Sequence, residues 1–333
     1  MSLTSRLGAR PAAPGAANDA GTAIPFALAG IALLTLWRLL ALYFDRTELW
    51  IDEAQYWLWG QSFSFGAYSK PPLIGWLIGL TTGLLGDSAF AVRVAAPVIH
   101  ALTACVIIAL GTRLGSRKAA ALAGAVYITM PAATLGSLLI STDTPLLLAI
   151  ALAVLLQHRL AARPSVRDAI LLGLAVGLGF LSKQAMIYAV LGMCTAAVAS
   201  KDWRITRRDA ATAFVVALLA VSPNLWWIAS HGFVTLRHLE ESGAAKGVGL
   251  HLTGALRFLA EQFAVMGPIA FAAFLLSFRK PARALIGPLA IAAVILSLVT
   301  LQALTSRALA NWAVGFTVTA TNHPPEWRDP SPP

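Results

Sequence analysis

The chain has 333 residues, of which 58% are hydrophobic and only 12% charged, with a mean hydropathy of +0.72. Soluble domains carry about 25% charged residues, so a soluble globular enzyme is excluded and a polytopic all-α membrane protein is indicated. The net charge of +10 does not point to nucleic acid. Lys and Arg stand in short clusters between apolar runs, as they do in membrane loops.

Residues 1–23 are rich in Ala, Pro and Gly and are expected to form a disordered cytoplasmic N-terminus, a side favoured by Arg6 and Arg10. Nine apolar runs follow, at about 24–44, 89–111, 119–139, 145–158, 169–182, 185–200, 210–228, 254–277 and 284–304. The first is too long for a signal-peptide core and reads as a retained span. Arg and Lys cluster at 113–118, 159–167, 201–208 and 279–283, after every even-numbered run. The positive-inside rule then places these four loops in the cytoplasm and loops 45–88, 140–144, 183–184 and 229–253 outside. A further apolar run, Pro72 to Gly86, breaks this alternation if it crosses. It is expected to lie along or dip into the outer face and return, with Glu53 to Phe65 flat at the interface. Cys105 and Cys194 fall inside spans and read as packing residues, not as a disulfide or metal pair.

The chemistry-bearing residues gather in the loops assigned to the outside. Asp52 and Glu53 precede an aromatic stretch containing Tyr56 and Tyr68. Partial desolvation there would raise a carboxylate pKa and make a usable base. Lys70 is held before Pro71 and Pro72, and its compact charge suits phosphate. Asp143 sits in a tight turn between spans. It is a catalytic candidate and also a helix-capping one, with Pro145 at the first helical position. Lys183 is a lone cation between two short spans. Arg38 lies within the first span and is expected to pair with an acid or a phosphate, whereas Arg93 reads as snorkelling to headgroups. His100 reads as a hydrogen-bonded packing residue, and Glu261 is left open. His231, His238, Glu240 and Glu241 have no diagnostic metal spacing.

The order D-E-A-x-Y (Asp52 to Tyr56), K-P-P-L (Lys70 to Leu73), T-D (Thr142-Asp143), L-S-K (Leu181 to Lys183) and N-W (Asn311-Trp312) resembles the GT-C class of membrane glycosyltransferases, family 39. That family includes aminoarabinose transferases acting on lipid A and protein O-mannosyltransferases. The resemblance spans about 24–313. It implies a GT-C-like bundle of about nine transmembrane helices with interfacial helices in the first outer loop. It further implies transfer of a sugar from a polyprenyl-phosphate donor to an extracytoplasmic lipid, glycan or protein, at a bacterial inner membrane and with inversion. The catalytic acid falls on Asp52, with Glu53 beside it and Asp143 lining the cavity. Lys70 and Lys183, with Arg38, Tyr56 and Tyr68, are the substrate-binding candidates. A divalent cation bridging acid and phosphate is left open; no other cofactor is implied. Residues 314–333 depart from the family pattern as a polar tail resembling a truncated product. The alternatives are a transporter or flippase of a lipid-linked sugar, and an inactive fragment of the transferase.

Overall fold

The computed structural model describes residues 14–234, 237, 249–306 and 308–321. Among them no strand occurs, and helices are stacked along the whole chain. Helix α1 (Pro14–Phe44) begins inside the stretch expected to be disordered. The loop at 45–88 and the residues after it then fold into α2 (Ile51–Gly60), α3 (Leu73–Leu85) and α4 (Ala89–Arg93). The bundle continues with α5 (Ala95–Leu114), α6 (Arg117–Thr129), α7 (Pro131–Gly136), α8 (Asp143–Ala162), α9 (Val166–Ser182) and α10 (Met186–Ala199). It closes with α11 (Arg207–Ser230), α12 (Leu252–Met266), α13 (Pro268–Ser277), α14 (Ile286–Thr305) and the short α15 (Thr317–Ala320).

Five of these elements are long and apolar enough to cross a bilayer: 22–44, 89–114, 143–162, 207–230 and 283–305. The runs expected at 169–182 and 185–200 form the shorter α9 and α10. Two runs expected as single crossings are broken. At 119–139 the helix stops at Met130, because a residue before proline disfavours helical geometry, and α7 restarts on Pro131. At 254–277 the axis turns by 113° between α12 and α13. Gly267 makes that corner at φ +91°, which a side chain would strain, and Pro268 opens α13 without needing an N–H partner.

Helix α3 has 13 residues, about 20 Å at 1.5 Å per residue, too short to cross a core of about 30 Å. This agrees with its expected placement outside the run of crossings. It packs on α2 backbone to backbone: a Cβ added at Gly79 would meet the Gly60 carbonyl oxygen at 2.5 Å. Tyr56, Ile74, Ile78, Val92, Ala96 and Ile140 form a small separate core beneath this pair. The main core runs through α5, α6, α8, α9, α10 and α14. α1 and α11 bury only 11% of their most apolar windows, so they stand at the edge, facing lipid.

Two ends of the bundle are chemically distinct. At one end Ser116, Ser165 and Thr206 cap α6, α9 and α11, each oxygen accepting from a first-turn N–H. Arg283 reaches Asp202 at 3.2 Å there, which puts the basic loops at 201–208 and 279–283 on one face. Val314, Phe316, Val318 and Ala320, assigned by the sequence to a polar tail, are almost wholly buried in the main core instead. Their apolar side chains alternate with small and hydroxyl residues, a short pattern that hydropathy windows miss. The last polar stretch, 322–333, lies outside the described residues.

The other end is held by one buried cation. Arg93 is 1% exposed and does not snorkel. Its guanidinium donates to Glu53 Oε2 at 2.8 Å and to Asp45 Oδ2 at 3.0 Å, and also to the Thr47 and Glu48 carbonyls. A buried arginine in the bilayer region needs such partners. Glu53 also accepts from the backbone N–H of Trp50 at 3.1 Å and of Ile140 at 3.0 Å. Removing one partner of a buried pair costs about 3–5 kcal/mol. Glu53→Ala and Arg93→Ala are therefore each expected to lower the thermal unfolding midpoint of the purified protein strongly, and the double variant by less than their sum. A Glu53→Ala midpoint equal to the parent's would show that this junction carries no stability.

Candidate active site

The turn after α7 delivers Asp143. Ser137 Oγ, Thr134 Oγ1 and the Ile128 carbonyl all accept from Arg38, at 3.0, 3.0 and 2.8 Å. Arg38, 4% exposed, thus ties α1 to the α6–α7 corner; the partners recorded for it are neutral oxygens, not the expected acid. The chain then runs through Ile140, fixed to Glu53, and enters α8 at Asp143. Asp143 is the first residue of that helix rather than its cap, and Pro145 is the third.

The Asp143 carboxylate is shared. Lys183, between α9 and α10, donates to its Oδ1 at 2.7 Å. Asn311 donates to its Oδ2 at 2.9 Å. Asp143 and Lys183 are 13% and 15% exposed, so the pair is partly sheltered from water. Asn311 was visible in the sequence only as part of the N-W pair, without an assigned role. It stands on a 3₁₀ segment, Ala310–Phe316, that packs against α14 and α8.

The loop at 45–88 brings the remaining groups to the same place. Lys70 lies in a turn where Ala67 N–H donates to its carbonyl at 3.3 Å. Burial pushes its ammonium pKa down, and the nearby Lys183 adds to this; Asp52 and Asp143 pull it back up. The Tyr56 hydroxyl is pushed up by burial first and then by Asp52 and Asp143, while a hydrogen bond with Thr142 opposes. Asp52, Lys70, Asp143, Lys183 and Tyr56 are therefore electrostatic neighbours, although they come from four separated stretches. Tyr68 is half exposed on the adjoining turn. The loop is pinned from the far side, where Asn224 of α11 donates to the Phe65 carbonyl at 2.7 Å and Trp227 packs over Gly66.

The two adjacent acids differ in situation. Glu53 is 2% exposed, and its oxygens are engaged by Arg93, Trp50 and Ile140. Asp52 is exposed at the start of α2, so the expected desolvation falls on its neighbour. A cleft of about 770 Å³ opens beside Asn311, lined also by His251, Thr253, Arg257, Glu261 and Ser306. In it Glu261, left open from sequence, pairs with Arg257 one turn away at 2.8 Å. His100 accepts or donates at Tyr127 Oη, 2.9 Å away, in the core as expected. His231 stacks on Trp227, and His238, Glu240 and Glu241 lie outside the described residues. Among the described residues no three His, Cys, Asp or Glu side chains gather. The two sheltered acids have their oxygens taken by N–H donors. This donor set does not fit a divalent cation, and no step below is routed through one.

A helical membrane bundle with a folded first long loop and a sheltered acid–lysine cluster has the architecture of a GT-C glycosyltransferase. The comparisons agree. Residues 69–227 match the family described as dolichyl-phosphate-mannose-protein mannosyltransferase. A lipid A galacturonosyltransferase, RgtD, of Rhizobium johnstonii is 40% identical over 293 residues, covering 86% of this chain and 62% of that protein. Crystal structures of ArnT from Cupriavidus metallidurans superpose with TM-scores of 0.70 in the apo state and 0.72 bound to undecaprenyl phosphate. Each is 17% identical and covers 88% of this chain, and 58% and 59% of theirs. The chain is thus similar to the GT-C class of membrane glycosyltransferases, family 39, and is an integral membrane protein. It spans about three fifths of the length of these relatives.

The Lys70 environment makes a pH prediction. Its folded pKa lies below the unfolded value, so carrying the charge opposes folding at neutral pH. That penalty is full below the folded pKa and vanishes as pH rises past the unfolded value of about 10.4. Lys70→Met is therefore expected to melt at a higher temperature than the parent at neutral pH, with the gap closing as pH approaches about 10. A gap that widens with pH would show that the acids around Lys70 outweigh its burial.

Proposed function

We propose that the chain transfers a sugar from a polyprenyl-phosphate donor to a lipid acceptor on the outer side of the bacterial inner membrane. The observation that carries this reading is the convergence of Lys70 and Lys183 with Asp52 and Asp143 at the end of the bundle opposite the arginine-rich loops. A half-buried lysine whose charge is made costly by desolvation gains most when a phosphate binds beside it. The names of the relatives supply the donor class: one is described by dolichyl-phosphate-mannose, another was crystallised with undecaprenyl phosphate. The galacturonosyltransferase relative makes a uronosyl donor and lipid A the first pair to assay.

Transfer breaks the bond between the sugar anomeric carbon and the phosphate oxygen and forms one to an acceptor oxygen. Phosphate leaves without a general acid, but its developing charge must be met. Lys70 is placed for that, and Lys183 joins it to the extent that Asp143 releases it. For a hydroxyl acceptor, Asp52 takes the proton as attack proceeds from the face opposite the leaving phosphate, which inverts the anomeric centre. For a phosphate acceptor no proton is moved, and Asp52 orients the acceptor instead. Asp143, held by Lys183 and Asn311, positions the lysine. Glu53 is a structural acid in this scheme, Arg38 a brace for the Asp143 turn, and Tyr56 a wall. The positive-inside rule, applied to the arginine-rich end, puts the N-terminus in the cytoplasm and the acid–lysine cluster outside.

Membranes containing the Asp52→Asn protein should transfer labelled sugar at least about 100-fold more slowly than the parent, the usual scale for a lost general base. Equal transfer would remove Asp52 from the reaction. Orientation is read separately. A cysteine at Asp87 should react with an impermeant thiol reagent from outside the cell and one at Arg117 should not; the reverse pattern would invert the topology.

A further inference from the structure

At the opposite end of the bundle from the acid–lysine cluster, the tails of α5 and α8 and the start of α9 enclose a cleft of about 430 Å³. That size lies within the range of small-ligand sites, about 300–1,000 Å³. Four guanidinium groups line it, from Arg113, Arg159, Arg163 and Arg167, against one carboxylate, Asp168. That carboxylate is already neutralised. Arg159 grips it with two bonds, Nε to Oδ2 at 2.8 Å and Nη2 to Oδ1 at 3.0 Å, and its backbone N–H is capped by Ser165 Oγ. Arg113, Arg163 and Arg167 are exposed and have no carboxylate partner among the described residues. Retention of topology needs only positive charge, which lysine supplies equally well. In the cleft every cation is arginine, although Lys118, Lys201 and Lys280 stand in the basic loops at 113–118, 201–208 and 279–283. Planar, fork-shaped donors suit phosphate oxygens. The cleft sits between helix ends, at the level where lipid headgroups lie, and basic pockets between membrane helices are where anionic headgroups are held.

We propose that this arginine cleft binds the headgroup of an anionic phospholipid, one bearing two phosphates fitting best. Arg113, Arg163 and Arg167 grip the phosphate oxygens from three sides. The Arg159–Asp168 pair forms the floor and sets the distance between α8 and α9. Since Lys183 directly follows the last residue of α9, Ser182, an occupied cleft braces the helix that leads into one of the lysines of the sugar-transfer site. The proposal concerns a separate site, and it stands whether or not the transferase reading does.

The test uses the full chain purified in detergent and exchanged with defined lipids. Native mass spectrometry should retain cardiolipin on the protein in preference to phosphatidylethanolamine, and cardiolipin should raise the thermal midpoint. Each arginine near a headgroup contributes about fivefold in affinity. An R163Q/R167Q variant should thus bind cardiolipin about 25-fold more weakly while melting like the parent without lipid, because neither side chain has a carboxylate partner among the described residues. Raising salt should weaken binding in the parent. Equal retention of cardiolipin by parent and variant, or equal retention of phosphatidylethanolamine and cardiolipin by the parent, would overturn the proposal. A midpoint shift from inorganic pyrophosphate that cardiolipin fails to displace would assign the cleft to a soluble phosphate instead, and would overturn the lipid assignment too.

Discussion

The end of the bundle that holds the acid–lysine cluster is organised by the bond between Arg93 and Glu53. A guanidinium this deeply buried cannot be left alone, and neither can the carboxylate facing it. Their pairing fixes three chain segments against one another: the stretch before α2 through Trp50, the end of α4 through Arg93, and the turn into α8 through the Ile140 N–H. Asp52 follows from the first of these and Asp143 from the last. The distance between the two acids is therefore set by an ion pair that takes no part in the chemistry assigned to them.

The same arrangement separates two kinds of charge in the site. The Asp143–Lys183–Asn311 group is internally satisfied and resists hydration changes. Lys70 is under-compensated, its burial outweighing its acidic neighbours. A lysine in that situation favours an anion beside it, and a group already held in place for that anion needs less reorganisation than water does, which is how a preorganised site differs from solvent.

Much of this was legible in the sequence, and the reasons are physical. Charged residues in a chain this apolar stand out, so Lys70, Asp143 and Lys183 could be named, and the alternation of basic loops brought them to one face. The division of labour between Asp52 and Glu53 could not be read. Adjacent residues on a helix point about 100° apart, and only the position of α2 on the bundle decides which one meets Arg93. Arg93 itself reads as a lipid-facing cation because its acids lie 40 and 48 positions earlier. Hydropathy also passed over the corners at Pro131 and Gly267, since averaging across a window hides a single backbone break. The packed segment from Val314 to Ala320 was missed for a similar reason: it is too short and too rich in threonine to register as apolar.

Asn311 lies 168 positions after the carboxylate that it grips. A ribosome feeding this chain into a bilayer delivers its helices in order, N-terminal ones first. Asp143 meets Lys183 as soon as the hairpin of α8 and α9 has been inserted. The amide arrives only after α14 has followed. Until then the acid is left with one partner, so the acid–lysine cluster is completed only once α14 is in place, and a ribosome that stalls short of that point leaves the carboxylate half-satisfied.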